Sequence, residues 1–147
     1  MNPLEKALNT FEEGFACSQA VLSAYADRFG LDPAMALRLG SPFGGGIARS
    51  GELCGAVTGG LMVIGLAYGK PDAEDKPAKE LTYEKSQALM RDVQQQFGSV
   101  ICKQILGEDI STPEGMDQAI QKNLFHTLCC DCIGGVVQSL ESHLPTR

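Results

Sequence analysis

The sequence predicts an all-α protein: a single-domain bundle of about five to seven helices around a central glycine-rich apolar helix at residues 53–68. Three observations predict it. Apolar residues recur at spacings of three and four between glycine and proline punctuation, which is the helical period. No stretch alternates apolar and polar residues over about six positions or more, so no strand is predicted. Leu53 to Tyr68 is an almost unbroken apolar run, too long for an ordinary strand and shorter than the roughly 18 to 20 residues that cross a bilayer. At 147 residues and 44% hydrophobic content, the chain has the size and apolar mass of one domain spanning 1–147.

The elements follow in order. Leu4, Ala7, Leu8 and Phe11 space an amphipathic helix over Pro3–Glu13, with Asn2 as cap, Pro3 in the first turn and Gly14 as its end. A second helix runs from Cys17 to Phe29 with Ala20, Val21, Ala24 and Tyr25 inward, and stops at Gly30. Asp32-Pro33 opens a short third helix to Gly40, and Ser41-Pro42 turns the chain into Gly44-Gly45-Gly46. Ser50 is then placed to cap the central helix and Gly69 to end it, which puts Cys54 in its first turn. Gly55 and Gly59, like Ala56 and Gly60, are four apart and form flat strips on which another helix can lie closely.

Residues 70–79 (KPDAEDKPAK) form an exposed connection. A long helix from Lys79 to Phe97 places Leu81, Leu89, Val93 and Phe97 inward, and Gly98 ends it. Ser99 caps a brief helix, Val100 to Leu106, that carries Cys102 in its first turn. Gly107 to Gly115 is a polar turn and Met116 to Phe125 a short helical piece. Cys129 to His143 is the final helix, with Ile133, Val136, Val137 and Leu140 inward.

A net charge of -6 without a basic cluster argues against nucleic acid and anionic membranes as partners. The acidic, amphipathic N-terminus has no basic start followed by an apolar block, so the expected location is cytoplasmic. In that compartment structural disulfides are rare, and six cysteines point to redox work or metal binding.

Cysteine stands at four helix starts: Cys17, Cys54, Cys102 and the Cys129-Cys130-Asp131-Cys132 cluster. Helix N-termini favour the thiolate, the form that attacks disulfides and binds soft metals. Small buried core residues are the competing reading of the same positions. Cys129 and Cys132 make a Cys-x-x-Cys pair, without the second close pair that a zinc site shows. Covalent haem attachment is excluded because Ile133 follows Cys132. His126 reads as a cap or surface residue, and His143 carries less. The three glycines match neither nucleotide-binding fingerprint, since no lysine-serine or lysine-threonine pair follows them and no strand precedes them.

Four segments carry a resemblance: Gly14 to Leu22 (GFACSQAVL), Phe43 to Gly46 (FGGG), Leu53 to Gly60 (LCGAVTGG) and Phe97 to Gly107 (FGSVICKQILG). In that order they resemble the C_GCAxxG_C_C family of redox-active proteins, over most of the chain. The resemblance assigns Cys17, Cys54 and Cys102 to the family's cysteines, with Cys129 or Cys132 as the fourth. It implies a small, mostly helical protein with a redox role.

Two functions compete at the same residues. In the first, Cys17, Cys54, Cys102 and Cys129 or Cys132 meet and cycle between thiol and disulfide with a redox partner protein, Cys54 being the attacking thiolate. In the second, the same thiolates hold an iron–sulfur cluster or a transition metal for electron transfer. A third reading is an adaptor homo-oligomer joined through the small-residue strips, its cysteines inert.

Overall fold

The computed structural model describes residues 1–146, and the first helix shows how the sequence sets its boundaries. Helix α1 (Pro3–Glu12) starts where the Asn2 side chain accepts from Glu5 N–H at 2.8 Å and Glu5 reaches back to Asn2 N–H at 3.2 Å. Helix α2 (Cys17–Tyr25) runs into a short 3-10 helix, Asp27–Phe29, closed by Gly30 in the left-handed conformation. Helix α3 (Pro33–Gly40) is capped by Asp32. Its last residue lies directly on α2, where Ser18 Oγ donates to Gly40 O at 2.7 Å.

Helix α4 (Gly55–Tyr68) begins later than the sequence suggested. Its N-cap is Cys54 itself, and Ser50 instead lies in the turn preceding it. Helix α5 (Lys76–Phe97) begins earlier, because the Asp75 carboxylate caps it at Ala78 N–H and admits both Lys76 and Pro77 to the first turn. Leu89 and Val93 are buried as expected, whereas Leu81 is 38% exposed, one of several apolar side chains left in solvent. Helices α6 (Cys102–Leu106), α7 (Pro113–Gln121) and α8 (Leu128–His143) complete the chain, with a 3-10 turn at Leu124–His126 before α8. The eight α-helices among the described residues exceed the count of five to seven; α6 and α7 fall at the brief helical pieces expected at 100–106 and 116–125.

The centre is a pair of helices. Helix α2 packs on α1, α3, α4 and α8, and α4 packs on α2, α5 and α8. Glycines make the α2–α4 contact close: a Cβ at Gly59 would stand 2.7 Å from Ser18 O, and one at Gly60 would stand 2.8 Å from Val136 Cγ1. Both small-residue strips are thus consumed inside the protomer, and neither is left for a second copy.

The main core includes Val21, Tyr25, Ile64, Leu89, Ile133 and Leu140. A satellite core, Leu106, Ile110 and Ala119 with Met116 and Phe125 against it, is built by residues 102–129. Among the described residues no helix is long and apolar enough to cross a membrane.

Candidate functional site

Helix starts from both cores line a cavity of about 650 Å³ that opens to solvent along their seam. Cys17, Cys54, Cys102, Cys129 and Cys132 all line it. Cys54 and Cys132 are buried, at 8% and 4% exposure, and the other three are half-buried. All six cysteines are free thiols, and Cys130 alone among them is not in the cavity wall.

Each thiol has an identifiable local cause for its place. Cys17 is the first residue of α2, a start fixed by Ala16 N–H donating to Gln19 Oε1 at 2.8 Å. Its sulfur fits because residue 55 is glycine: a Cβ there would lie 2.6 Å from Cys17 Sγ.

Cys54 and Cys102 are brought together by main-chain pairing that the helical reading did not foresee. Leu53 and Ile101 form an isolated antiparallel bridge. Cys54 N–H donates to Val100 O at 2.8 Å, Cys102 N–H to Glu52 O at 2.6 Å, and Lys103 N–H to Gly51 O at 3.1 Å. These bonds hold the two cysteine backbones on paired segments, diagonal across the Leu53–Ile101 bridge, without any help from their side chains. Cys129 and Cys132 lie three apart near the start of α8 and so share a face. Cys130 points elsewhere, with its sulfur 4.0 Å from Phe125 O.

The thiols are not equivalent. Hydrogen bonding from Cys132 and then from Cys17 holds the Cys54 pKa well below the ordinary thiol value, against the opposing effect of burial. The N–H groups of Val57 and Ala56, in the first turn of α4, add to this, although Cys54 makes no capping bond of normal geometry. The other members move the opposite way. Cys17 is raised by its hydrogen bond to Cys54 and then by burial, and Cys132 is raised for the same two reasons. Burial, followed by the charge on Cys54, pushes both Cys102 and Cys129 up to about 12. Of the cavity thiols, Cys54 is thus the one favoured to ionise first, and its neighbours are held back.

The remaining wall is apolar, with Phe11, Phe15, Ile105, Leu106 and Phe125 among its residues. The glycine-rich loop covers one side in an unusual conformation. Gly45, Gly46, Ile47, Ala48 and Arg49 all have positive φ, between 52° and 69°, forming a left-handed turn. Main-chain bonds hold it: Ala48 N–H donates to Pro42 O at 2.8 Å, Arg49 N–H to Gly44 O at 3.1 Å, and Glu52 N–H to Gly46 O at 2.9 Å. Gly46 is required twice, for its φ of 69° and because a Cβ would lie 2.7 Å from Cys102 Cβ. The three consecutive glycines signalled a tight turn. Nothing in the sequence indicated that Ile47, Ala48 and Arg49 would continue it.

Two other groupings lack the geometry for catalysis. His126 is exposed and lies outside the cavity wall. Asp92 Oδ2 accepts from Ser139 Oγ at 2.6 Å and sits 3.0 Å from His143 Nε2, so the carboxylate lies between serine and histidine. The imidazole therefore cannot take the serine proton, as a serine–histidine pair requires. Among the described residues no group of three or more His, Cys, Asp or Glu side chains is placed to hold a metal ion. The cavity thiols lie around one space without closing into a ligand set.

Fold and cavity together define an all-helical protein with a cluster of free thiols at the junction of two cores. The family described as "putative redox-active protein (C_GCAxxG_C_C)" matches residues 15–143, and the chain belongs to that family. No curated protein and no solved structure matches the chain. The family's central motif, here Cys54-Gly55-Ala56-Val57-Thr58-Gly59, acquires a physical sense in the structure. The cysteine caps α4, the first glycine admits the Cys17 sulfur, and the second admits the α2 backbone.

Proposed function

We propose that this protein is a thiol–disulfide oxidoreductase in which Cys54 is the attacking thiolate and Cys132 the resolving thiol. The observation that carries the reading is the position of Cys54, its thiolate favoured by the protonated thiols of Cys132 and Cys17, at the wall of an open cavity. A thiolate beside a second thiol is the arrangement that thiol–disulfide exchange needs.

The cycle balances as follows. Cys54 S⁻ attacks one sulfur of a substrate disulfide; a bond forms between them, the substrate S–S bond breaks, and the other half leaves as a thiolate that takes a proton from water. The Cys132 thiol then loses its proton to solvent and attacks the Cys54 sulfur of the mixed disulfide. A Cys54–Cys132 disulfide forms and the second substrate half departs as thiol. Two protein thiols are oxidised and one substrate disulfide is reduced. An external dithiol, such as that of a redox partner protein, resets the pair in a reducing compartment such as the cytoplasm. Cys17 positions the Cys54 thiolate, and Cys102 and Cys129 keep their protons through the cycle.

Timed alkylation of the reduced protein between pH 6 and 8, followed by peptide mass mapping, tests the first step; Cys54 is expected to label first. Oxidation with one equivalent of a small disulfide is then expected to yield the Cys54–Cys132 linkage. Labelling of Cys54 only after Cys102 and Cys129 would refute the assignment.

A further inference from the structure

The same cavity constrains what Cys54 can meet. With Cys54 at 8% and Cys132 at 4% exposure, the reacting sulfur lies on a cavity wall, not on a convex surface. Exchange requires the attacking sulfur to approach along the axis of the bond it breaks, and a small disulfide presents that axis inside a pocket more readily than one held in the surface of a folded protein. A volume of about 650 Å³ falls in the range of small-molecule sites.

The chemistry of the wall narrows the ligand further. Phe11, Phe15, Ile105 and Phe125 offer an apolar surface. Arg49 is the one basic side chain lining the cavity among the described residues. It has no ion-pair or hydrogen-bond partner there, the three ion pairs being Lys103–Glu52, Lys122–Glu108 and His143–Asp92. Arg49 is itself exposed, and a guanidinium free of ion pairs beside an apolar cavity can pair with an anionic group on a ligand seated there. Its location is also maintained against strain. Ile47, Ala48 and Arg49 have φ of 68°, 52° and 61°, a conformation that crowds the Cβ of any residue but glycine. Such strain is retained where surrounding structure over-determines it, typically beside a ligand.

We propose that the cavity binds a low-molecular-weight organic disulfide with an apolar body and a carboxylate. The body lies against Phe11, Phe15, Ile105 and Phe125, the carboxylate pairs with Arg49, and one sulfur meets Cys54. This rests on the reading of Cys54 as the attacking thiolate. The exchange step is the one given above, with the apolar half leaving as a thiolate.

Single-turnover kinetics of the full reduced chain test it with four probes: dithiobis(nitrobenzoate), aromatic and anionic; dithiodipyridine, aromatic and uncharged; cystamine, aliphatic and cationic; and insulin, a protein disulfide. Rates are normalised to those of a free small thiol. The normalised ratio of anionic to uncharged aromatic rates is expected to exceed one and to fall about tenfold in Arg49→Asn, the size of one lost charged contact. Using a ratio removes any general effect of the arginine on the Cys54 thiolate, and asparagine tolerates the left-handed backbone better than arginine does. Arg49→Lys is expected to restore most of the ratio, and insulin to react far more slowly than either aromatic probe. A ratio near one that Arg49→Asn does not move, or insulin reacting as fast as the small disulfides, overturns the ligand assignment while leaving Cys54 chemistry intact. A second arm uses phenylbutyrate, an unreactive apolar carboxylate, titrated into the Cys54→Ser chain by NMR. Binding that Arg49→Asn abolishes supports the anion site even should Cys54 prove inert, in which case the oxidoreductase reading alone falls.

Discussion

Replacing Gly55 with alanine tests the thiol cluster with a single methyl group. An ideal Cβ at that position lies 2.6 Å from Cys17 Sγ, 3.0 Å from Phe43 O and 3.3 Å from Ser18 N. The sulfur contact is more than 1 Å inside van der Waals separation, and the backbone oxygen on the other side prevents the methyl from simply leaning away. Overpacking of this kind costs about 1–3 kcal/mol. Alanine's better helix propensity offsets at most about 1 kcal/mol, less at the first helical position. The net expectation is a loss of about 1–2 kcal/mol in a urea melt.

The larger consequence is chemical. The relief available to the protein is rotation of the Cys17 side chain, which turns its S–H away from Cys54. A hydrogen bond to a charged group is worth about 1.5–3 kcal/mol, or about one to two pKa units. Cys17 ranks behind Cys132 among the groups that hold Cys54 low, so the lower end applies. The midpoint of the pH profile for Cys54 alkylation, read by mass spectrometry, is expected to move up by about one unit. Gly65→Ala in the same helix serves as the control, since its Cβ meets nothing within 4 Å. That variant is expected to gain about 0.5–1 kcal/mol and leave the profile alone. An unmoved midpoint in Gly55→Ala, with stability lowered, would refute the claim that Cys17 supports the Cys54 thiolate.

Three further outcomes follow from the same coordinates. Gly46→Ala, at φ 69° with its Cβ 2.6 Å from Glu52 N and 2.7 Å from Cys102 Cβ, is expected to lose about 3 kcal/mol or more in a urea melt and to separate Cys102 from Cys54. Ala48→Gly is expected to gain about 0.5 kcal/mol, because relief of left-handed strain exceeds the added chain entropy of the unfolded state. Stability is expected to fall between about pH 9 and 11: Cys102 and Cys129, pushed up to about 12, stay protonated in the fold while their unfolded counterparts ionise near 8.5. Their contribution is complete below the unfolded value and is lost as pH rises toward 12, by at most about 1.4 kcal/mol per unit for each thiol; the Cys102→Ser/Cys129→Ser double variant should flatten the decline in the urea midpoint.

The helices were legible in the sequence because their signals are local. Asn2 and Asp32 cap as their positions suggested, Gly30 and Gly98 terminate in the left-handed conformation, and the 3.6-residue period marks the buried faces of α5 and α8 at Leu89, Val93, Ile133 and Leu140. The start of α4 was misplaced because Ser50 is a good cap by composition, yet Gly51 takes φ 71° and residues 51–54 pair with residues 100–103 before any helix begins. A ladder this short leaves no alternation to read. The left-handed turn was hidden for a related reason: Ile47 is β-branched and Ala48 and Arg49 favour right-handed helix, so tertiary contacts overrode the propensity of each. Resemblance left the fourth family cysteine open between Cys129, which has the better helical register with Ile133, Val136 and Val137, and Cys132. Both line the cavity with Cys54, and Cys132 is the one whose hydrogen bonding lowers the Cys54 pKa.

That distinction bears on how the proposed cycle orders its own steps. In the proposed cycle a thiolate at Cys54 holds Cys132 back: its hydrogen bond and its Coulomb field both raise the Cys132 pKa, with burial ranking between them. A cluster of thiols sharing one charge cannot ionise twice at neutral pH, so only one nucleophile is offered. Once Cys54 enters a mixed disulfide its sulfur is neutral, and both of those effects on Cys132 vanish while burial, Cys129 and Asp131 remain. The Cys132 pKa therefore drops only after the first exchange, when a second thiolate is needed, and before that it lends Cys54 its proton. Cys132→Ser keeps a hydrogen-bond donor at the position, on a shorter bond to carbon, and removes the second nucleophile. It should slow the first exchange by less than tenfold and leave the mixed disulfide on Cys54 as the stable product by mass spectrometry. Prompt release of the substrate half from that variant would transfer the resolving role to Cys17.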